Sequence, residues 1–206
     1  MIKITEIKTE HKVNALGVDG NPLISWKYEG DDQISYRLKV KLSEVYGKGD
    51  VCVFDSGEVN SADNFCRADG KKLERGKKYD VVISLNGEKA TEGGESCFRT
   101  AIIREDFKGD WVNLPVNSQG GSSLYRIRGR LDKKPVLATA YVAGIGYNEL
   151  YINGKKVGDE LLSPATSDYA KRIYYNTYDV TDILEIGDNV FGVEVAHGWL
   201  GAKRML

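Results

Sequence analysis

Apolar and polar residues alternate with a period of two through most of this chain, and the 3.6-residue helical period is nearly absent. Such a pattern predicts strands almost throughout. Ile2, Ile4 and Ile7 open the series, and PLISWKYE around Trp26 predicts the next strand. In ISYRLKVKL the alternation sets Ile34, Tyr36, Leu38, Val40 and Leu42 on one face, the cleanest strand of the chain. Runs at 51–55, 79–85 and 97–100 complete a set of short strands separated by Gly, Asp and Asn turns. That rhythm over about a hundred residues predicts one fibronectin-III-like or immunoglobulin-like β-sandwich. Within it, Trp26 and Tyr79 are expected to supply buried core area rather than a ligand platform.

The run REDFKGDWVNLP over 104–115 interrupts this rhythm and reads as a connection, so the expected domains are 1–103 and 104–206. Strands resume in SLYRIRGRL, VLATAYVAGIGYNELYING, RIYYNTYDVTDIL and DNVFGVEVAHGW. Gly154 suits a tight hairpin that needs positive φ, with Tyr151 and Ile152 ending one strand and Val157 starting the next. Thr181-Asp182-Ile183-Leu184, followed by Gly187-Asp188-Asn189, predicts a single short helical turn or a 3₁₀ turn before the last strand. There is no internal repeat and no low-complexity linker.

Composition narrows the function classes. With 206 residues, 41% hydrophobic, the chain can bury a core, and 29 Lys+Arg against 30 Asp+Glu leaves a formal net charge of −1. No summed positive field draws it to nucleic acid or anionic lipid. No run approaches the ~20 apolar residues that span a bilayer, so no membrane partner is expected. MIKITEIKTEHK lacks the apolar core of a signal peptide and reads as a first strand. A cytoplasmic location is the expectation, with periplasmic or secreted placement open. Cys52, Cys66 and Cys97 are odd in number and lack CxxC spacing, which favours idle thiols over a disulfide framework.

Strong mechanistic motifs are absent: there is no phosphate loop, HExxH, paired CxxC or GxSxG. The two histidines, His11 and His197, have no spaced acid or nucleophile beside them, so a Ser/His/Asp arrangement is rejected and no catalytic or metal-ligating residue is assigned. Acidic Asp159, Glu160 and Asp168 cluster near Lys155, Lys156, Lys171 and Arg172, a pattern that usually means solvated pairs rather than the facing carboxyls of a glycosidase. Sugar binding asks less: a planar aromatic face and a few fixed polar groups. Asn153, Asp159, Asp168, Tyr169, Arg172, Tyr174 and Trp199 offer these, although Tyr174, Tyr175 and Tyr178 would also pack on any sheet.

These residues carry a resemblance. The run from AYVAGIGYNELYING through KKVGDELLSPATSDYAKR to IYYNTYDVTDIL, then GDNVFGVEVAHGW, resembles the N-terminal domain of bacterial α-L-rhamnosidases of glycoside hydrolase family 78. PLISW, QISYRLKV, FDSGEVNS, LERGKKYDVVISL and FRTA resemble the fibronectin-III-like module that precedes it there. The resemblance implies an inverting exo-enzyme that removes terminal α-L-rhamnose with two acidic residues of an (α/α)6 barrel, which these residues do not contain. It implies for the second domain a jelly-roll accessory module, related to a rhamnose-binding module that sometimes uses calcium. Where the family pattern has Pro-Gly-Trp-Thr, this chain has Pro164-Ala165-Thr166-Ser167, and an aromatic is missing.

The expected fold is therefore all-β: a fibronectin-III/immunoglobulin-like sandwich followed by an incomplete jelly roll, because fewer than the usual eight strands follow Asp106. An open strand edge predicts homo-oligomers. The expected role is non-catalytic recognition of a rhamnose-containing glycan together with scaffolding of the catalytic barrel. Two alternatives stay open: modules that only brace the barrel, and a small enzyme hydrolysing α-L-rhamnosides with Asp159 and Asp168.

Overall fold

A computed structural model describes residues 2–48, 51–69, 71, 73–87, 91–112, 122–196 and 198. The chain is all-β and divides into two compact units, Met1–Gly109 and Asp110–Leu206. The first unit is a sandwich of two antiparallel sheets. One sheet orders β1 (Lys3–Thr9), β2 (Leu23–Glu29) and β5 (Phe65–Arg67). The other orders β4 (Cys52–Asp55), β3 (Gln33–Leu42), β6 (Lys78–Gly87) and β7 (Thr91–Arg99). Three-residue β5 was not legible in the sequence, being too short for alternation to register.

The core of this unit follows from period two. Ile24 and Trp26 of β2 face Leu38 and Val40 of β3 and Val81, Ile83 and Leu85 of β6 within one buried cluster. Each such side chain contributes ~1.5–3 kcal/mol by leaving water. Trp26 meets Tyr36 edge-on with centroids 4.9 Å apart, and Tyr79 stacks on Phe98 at 5.6 Å. Tyr79 is buried as expected, and its hydroxyl accepts the Glu74 N–H at 2.7 Å.

Ile34 corrects the expected face of β3: it is exposed, while Tyr36, Leu38, Val40 and Leu42 are buried. A register shift between Gln33 and Ser35 reverses the side-chain phase there and turns Gln33 inward. The buried Gln33 amide then accepts the Trp26 indole N–H at 2.8 Å and donates to the carbonyls of Ser61 and Asp63 at 2.9 and 2.8 Å. A buried indole needs such an acceptor. All three cysteines are free thiols, and burial pushes the Cys66 thiol up.

In the second unit a four-stranded antiparallel sheet orders β11 (Lys155–Val157), β10 (Tyr147–Ile152), β13 (Gly187–Ala196) and β8 (Ser123–Leu131). A two-stranded sheet pairs β9 (Thr139–Ala143) with β12 (Tyr175–Asp179). Leu150, Ile152, Val157, Tyr178, Val180 and Leu184 form the buried core, with Phe191 and Val193 packed against it. Tyr151, Glu149 and Tyr147 alternate onto the outer face of β10.

The hairpin between β10 and β11 is a two-residue turn with Asn153 at φ 53° and Gly154 at φ 81°. Both central residues at positive φ match the twist of the flanking strands. The return strand begins at Lys155, so Val157 ends β11 rather than starting it. The helical turn expected at 181–184 is present, with the Ile183 and Leu184 N–H groups both donating to the Val180 carbonyl at 3.2 Å. Among the described residues no helix is long and apolar enough to cross a membrane.

Candidate functional site

Strand β11 hands over to β12 through the loop 158–174, which lies at the end of the sheet where β10 and β12 begin. Gly158 opens the loop at φ +78°, and a Cβ there would overlap the Glu160 carboxylate and come 2.6 Å from Tyr178 Cε1. Only glycine fits this corner. Lys156 ties the loop to the sheet: its ammonium pairs with Glu149 at 2.6 Å and donates to the Glu160 carbonyl at 3.4 Å. The Tyr151 hydroxyl donates to the other Glu149 oxygen at 2.6 Å. Lys156 first, and Tyr151 second, hold the Glu149 carboxyl below the usual carboxylate range.

Next come Leu161 and Leu162, 79% and 74% exposed, with Leu162 at φ 52°. A leucine in the left-handed region costs of order 1–3 kcal/mol and persists only where its surroundings impose it. Ser163 is the constraint. Its carbonyl accepts the Asn148 N–H at 2.8 Å, its hydroxyl donates to Asn176 Oδ1 at 2.8 Å, and Pro164 after it is buried. Asn176 Nδ2 in turn donates to Asn148 Oδ1 at 3.3 Å. The chain of amides leaves one group over: Asn148 is buried and its Nδ2 has no hydrogen-bond partner. That nitrogen points at Gly144, where a Cβ would stand 3.1 Å from it. A buried amide N–H without a partner costs ~1–3 kcal/mol.

The far part of the loop is a closed turn. The Asp168 carbonyl accepts the N–H groups of Lys171 and Arg172 at 2.8 and 2.9 Å. Its carboxylate accepts the Ala170 N–H at 3.2 Å and pairs with the Lys171 ammonium at 3.2 Å. Ser167 closes the ring by donating to the Arg172 carbonyl at 2.6 Å, and the Arg172 guanidinium stands 6.0 Å from the centroid of the Tyr174 ring.

The structure therefore brings Asp168, Tyr169 and Arg172 together on one turn, with Asp159 exposed on the same loop. Asn153 lies at the opposite end of β10, separated by roughly 17 Å of strand at ~3.3 Å per residue. Its side chain is a latch: Oδ1 accepts the Val190 N–H at 2.9 Å and Nδ2 donates to Asn189 Oδ1 at 3.0 Å. Trp199 lies outside the described residues. Asn148, Asn176 and Ser163 escaped the sequence reading. A signal for two of them existed: Asn148 falls in phase with core residues Leu150 and Ile152, and Asn176 in phase with Tyr178 and Val180.

Chemically, this end offers amides, a carboxylate, a guanidinium and phenol rings, which suit the hydroxyls and C–H face of a sugar. The carboxyls that shift among the described residues, Glu6, Asp55 and Glu149, all move down beside Lys or Arg. Calcium takes six to eight oxygen ligands, usually several of them carboxylates. Among the described residues no three His, Cys, Asp or Glu side chains gather, so they do not fit that ion.

Comparison with known proteins places both units. Residues 4–103 match the family described as Rha78A-like, N-terminal immunoglobulin domain, and residues 133–205 match the alpha-L-rhamnosidase N-terminal domain. An alpha-L-rhamnosidase of Formosa agariphila is 29% identical over 92% of this chain and 24% of its own length. One of Streptomyces avermitilis is 42% identical over 44% of this chain and 9% of its own length. Among solved structures, the alpha-L-rhamnosidase from Dictyoglumus thermophilum superposes with TM-score 0.79 at 28% identity, covering 95% of this chain and 25% of that one. The native enzyme from Aspergillus terreus gives 0.78 at 26% identity, covering 97% and 24%. The chain thus spans about a quarter of the length of these full-length relatives. With an immunoglobulin-like sandwich first and the rhamnosidase N-terminal domain second, the chain carries the two N-terminal domains of α-L-rhamnosidases.

Proposed function

We propose that the chain is a non-catalytic part of an α-L-rhamnosidase-type glycoside hydrolase, in which the second unit recognises a rhamnose-containing glycan and the first serves as scaffold. The observation that carries this reading is the loop end of the second unit. Inside the region that matches the rhamnosidase N-terminal domain, the buried Asn148 amide keeps an unpartnered N–H beneath Gly144, next to a loop bearing Asp168, Tyr169 and Arg172. The exposed Asp168 carboxylate and Arg172 guanidinium are the groups there that reach solvent and can pair with sugar hydroxyls. Titration of L-rhamnose into the chain by calorimetry tests it. Saturable heat at millimolar ligand, reduced in Asp168→Ala/Arg172→Ala, supports recognition, and absence of heat moves the unit to a bracing role.

One observation favours that second reading. Leu161 and Leu162 form an exposed apolar step on the same loop, held in place by the Ser163 bonds rather than by packing. Such a step suits docking against another protein domain, and the catalytic part of the longer rhamnosidase relatives is the domain proposed for it. Leu161→Ser/Leu162→Ser would then weaken domain association while leaving sugar heat unchanged. Release of aglycone from an aryl α-L-rhamnoside by the purified chain would contradict both readings.

A further inference from the structure

Strand β8 lies at the edge of its sheet: among the described residues it pairs with β13 on one side and with no strand on the other. Its two faces carry different chemistry. On the outer face Arg126, Arg128 and Arg130 stand at alternate positions, ~6.8 Å apart, and all three are exposed. Among the described residues only Arg130 of these has a carboxylate partner, the exposed Asp188 opposite it at 3.3 Å. Arg126 and Arg128 stand opposite Gly192 and Val190, which bring no charge.

On the inner face Ile127 stands opposite Phe191, which packs against the core. Yet Ile127 is 68% exposed, whereas Leu131 at the end of the same face packs against the core. An isoleucine on the core phase of a strand, open to water beside an edge that no described strand pairs, leaves apolar area for a further strand to cover.

We infer that β8 is a docking edge for an extended strand of another polypeptide in which acidic and apolar residues alternate. Its acidic side chains would pair across the strands with Arg126 and Arg128, and its apolar ones would cover Ile127 and the rim of Phe191. The unpaired N–H and C=O groups of β8 would supply the ladder, as in strand addition generally. The same arginines disfavour pairing of β8 with a second copy of itself, since antiparallel self-pairing sets arginine against arginine.

The test uses the full chain and labelled peptides of the nine-residue length of β8: one alternating Glu and Val, one with the same composition scrambled, and one alternating Lys and Val. Dextran sulfate serves as a polyanion without a backbone ladder. Binding is read by fluorescence anisotropy and by amide hydrogen exchange. The alternating acidic peptide should bind and slow exchange at alternate β8 amides, with affinity falling roughly tenfold or more in Arg126→Glu/Arg128→Glu. Ile127→Asp, an exposed change that leaves the arginines in place, should weaken it as well. Equal binding of the scrambled peptide, or dextran sulfate binding with no acidic-peptide protection of β8, would show a merely electrostatic patch and overturn the inference. No binding of the alternating peptide would overturn it too.

Discussion

Asn189 is fully buried near the start of β13 and makes four hydrogen bonds, so its removal gives a worked measure of what holds the second unit together. Its Oδ1 accepts from the Glu185 N–H at 2.9 Å and from Asn153 Nδ2 at 3.0 Å. Its Nδ2 donates to the carbonyls of Glu185 at 2.8 Å and Gly187 at 3.2 Å. One amide thereby fixes the turn into β13 and the hairpin between β10 and β11. Alanine would delete all four bonds and leave two part-buried donors, the Glu185 N–H and Asn153 Nδ2, without their acceptor. At ~1 kcal/mol net per bond, the loss is roughly 3–4 kcal/mol. A unit of about a hundred residues has ~5–15 kcal/mol to lose. Asn189→Asp is the informative companion, because it keeps the two acceptor contacts but turns a carboxylate toward two carbonyls, and it should destabilise about as much. Urea unfolding, read by circular dichroism and by amide exchange in β10 and β13, measures both. A shift below ~0.5 kcal/mol for Asn189→Ala would refute the latch.

Three further outcomes follow from local geometry. Gly158→Ala should cost ~2 kcal/mol or more and disturb the loop 158–174, since the added Cβ meets Glu160 and Tyr178 at a positive-φ corner; unfolding midpoints and loop amide shifts would register it. Gln33→Ala should cost ~2–3 kcal/mol in the first unit by orphaning the Trp26 indole N–H and two carbonyls, with a change in Trp26 fluorescence; an unchanged midpoint counts against it. Arg37 holds the Asp55 carboxyl down at about 2 through a paired hydrogen bond. The folded value lies below the unfolded one, so this contribution to stability is present above ~pH 4 and lost as pH falls toward 2. In Arg37→Ala the Asp55 carboxyl should titrate higher, toward its ordinary value, by NMR, with the Gly57 N–H and Lys39 still holding it partly down, and no change would remove Arg37 as the cause.

The β3 alternation from Tyr36 to Leu42 and the buried Trp26 and Tyr79 were legible in the sequence because period two and one-sided burial coincide there, whereas SLYRIRGRL was legible as β8 from period two alone. Ile34 was not, since a one-residue register shift reverses phase without altering composition. The candidate site was legible only where loop residues are polar: Asp168, Tyr169 and Arg172 do share a turn. Asn153 instead serves the hairpin at the other end of β10, a distinction made by long-range partners Val190 and Asn189 that spacing alone does not reveal. The amide chain of Asn148, Asn176 and Ser163 needs three separate segments to meet and shows in sequence only as two polar residues on an apolar phase.

Residue-resolved NMR during a titration with L-rhamnose tests the central claim most directly. If the loop end recognises the sugar, amide signals of 168–172 shift most, those of Gly144, Asn148, Ser163 and Asn176 shift with them, and all saturate together. Shifts confined to the first unit, or none at millimolar sugar, would contradict the assignment of glycan recognition to this domain.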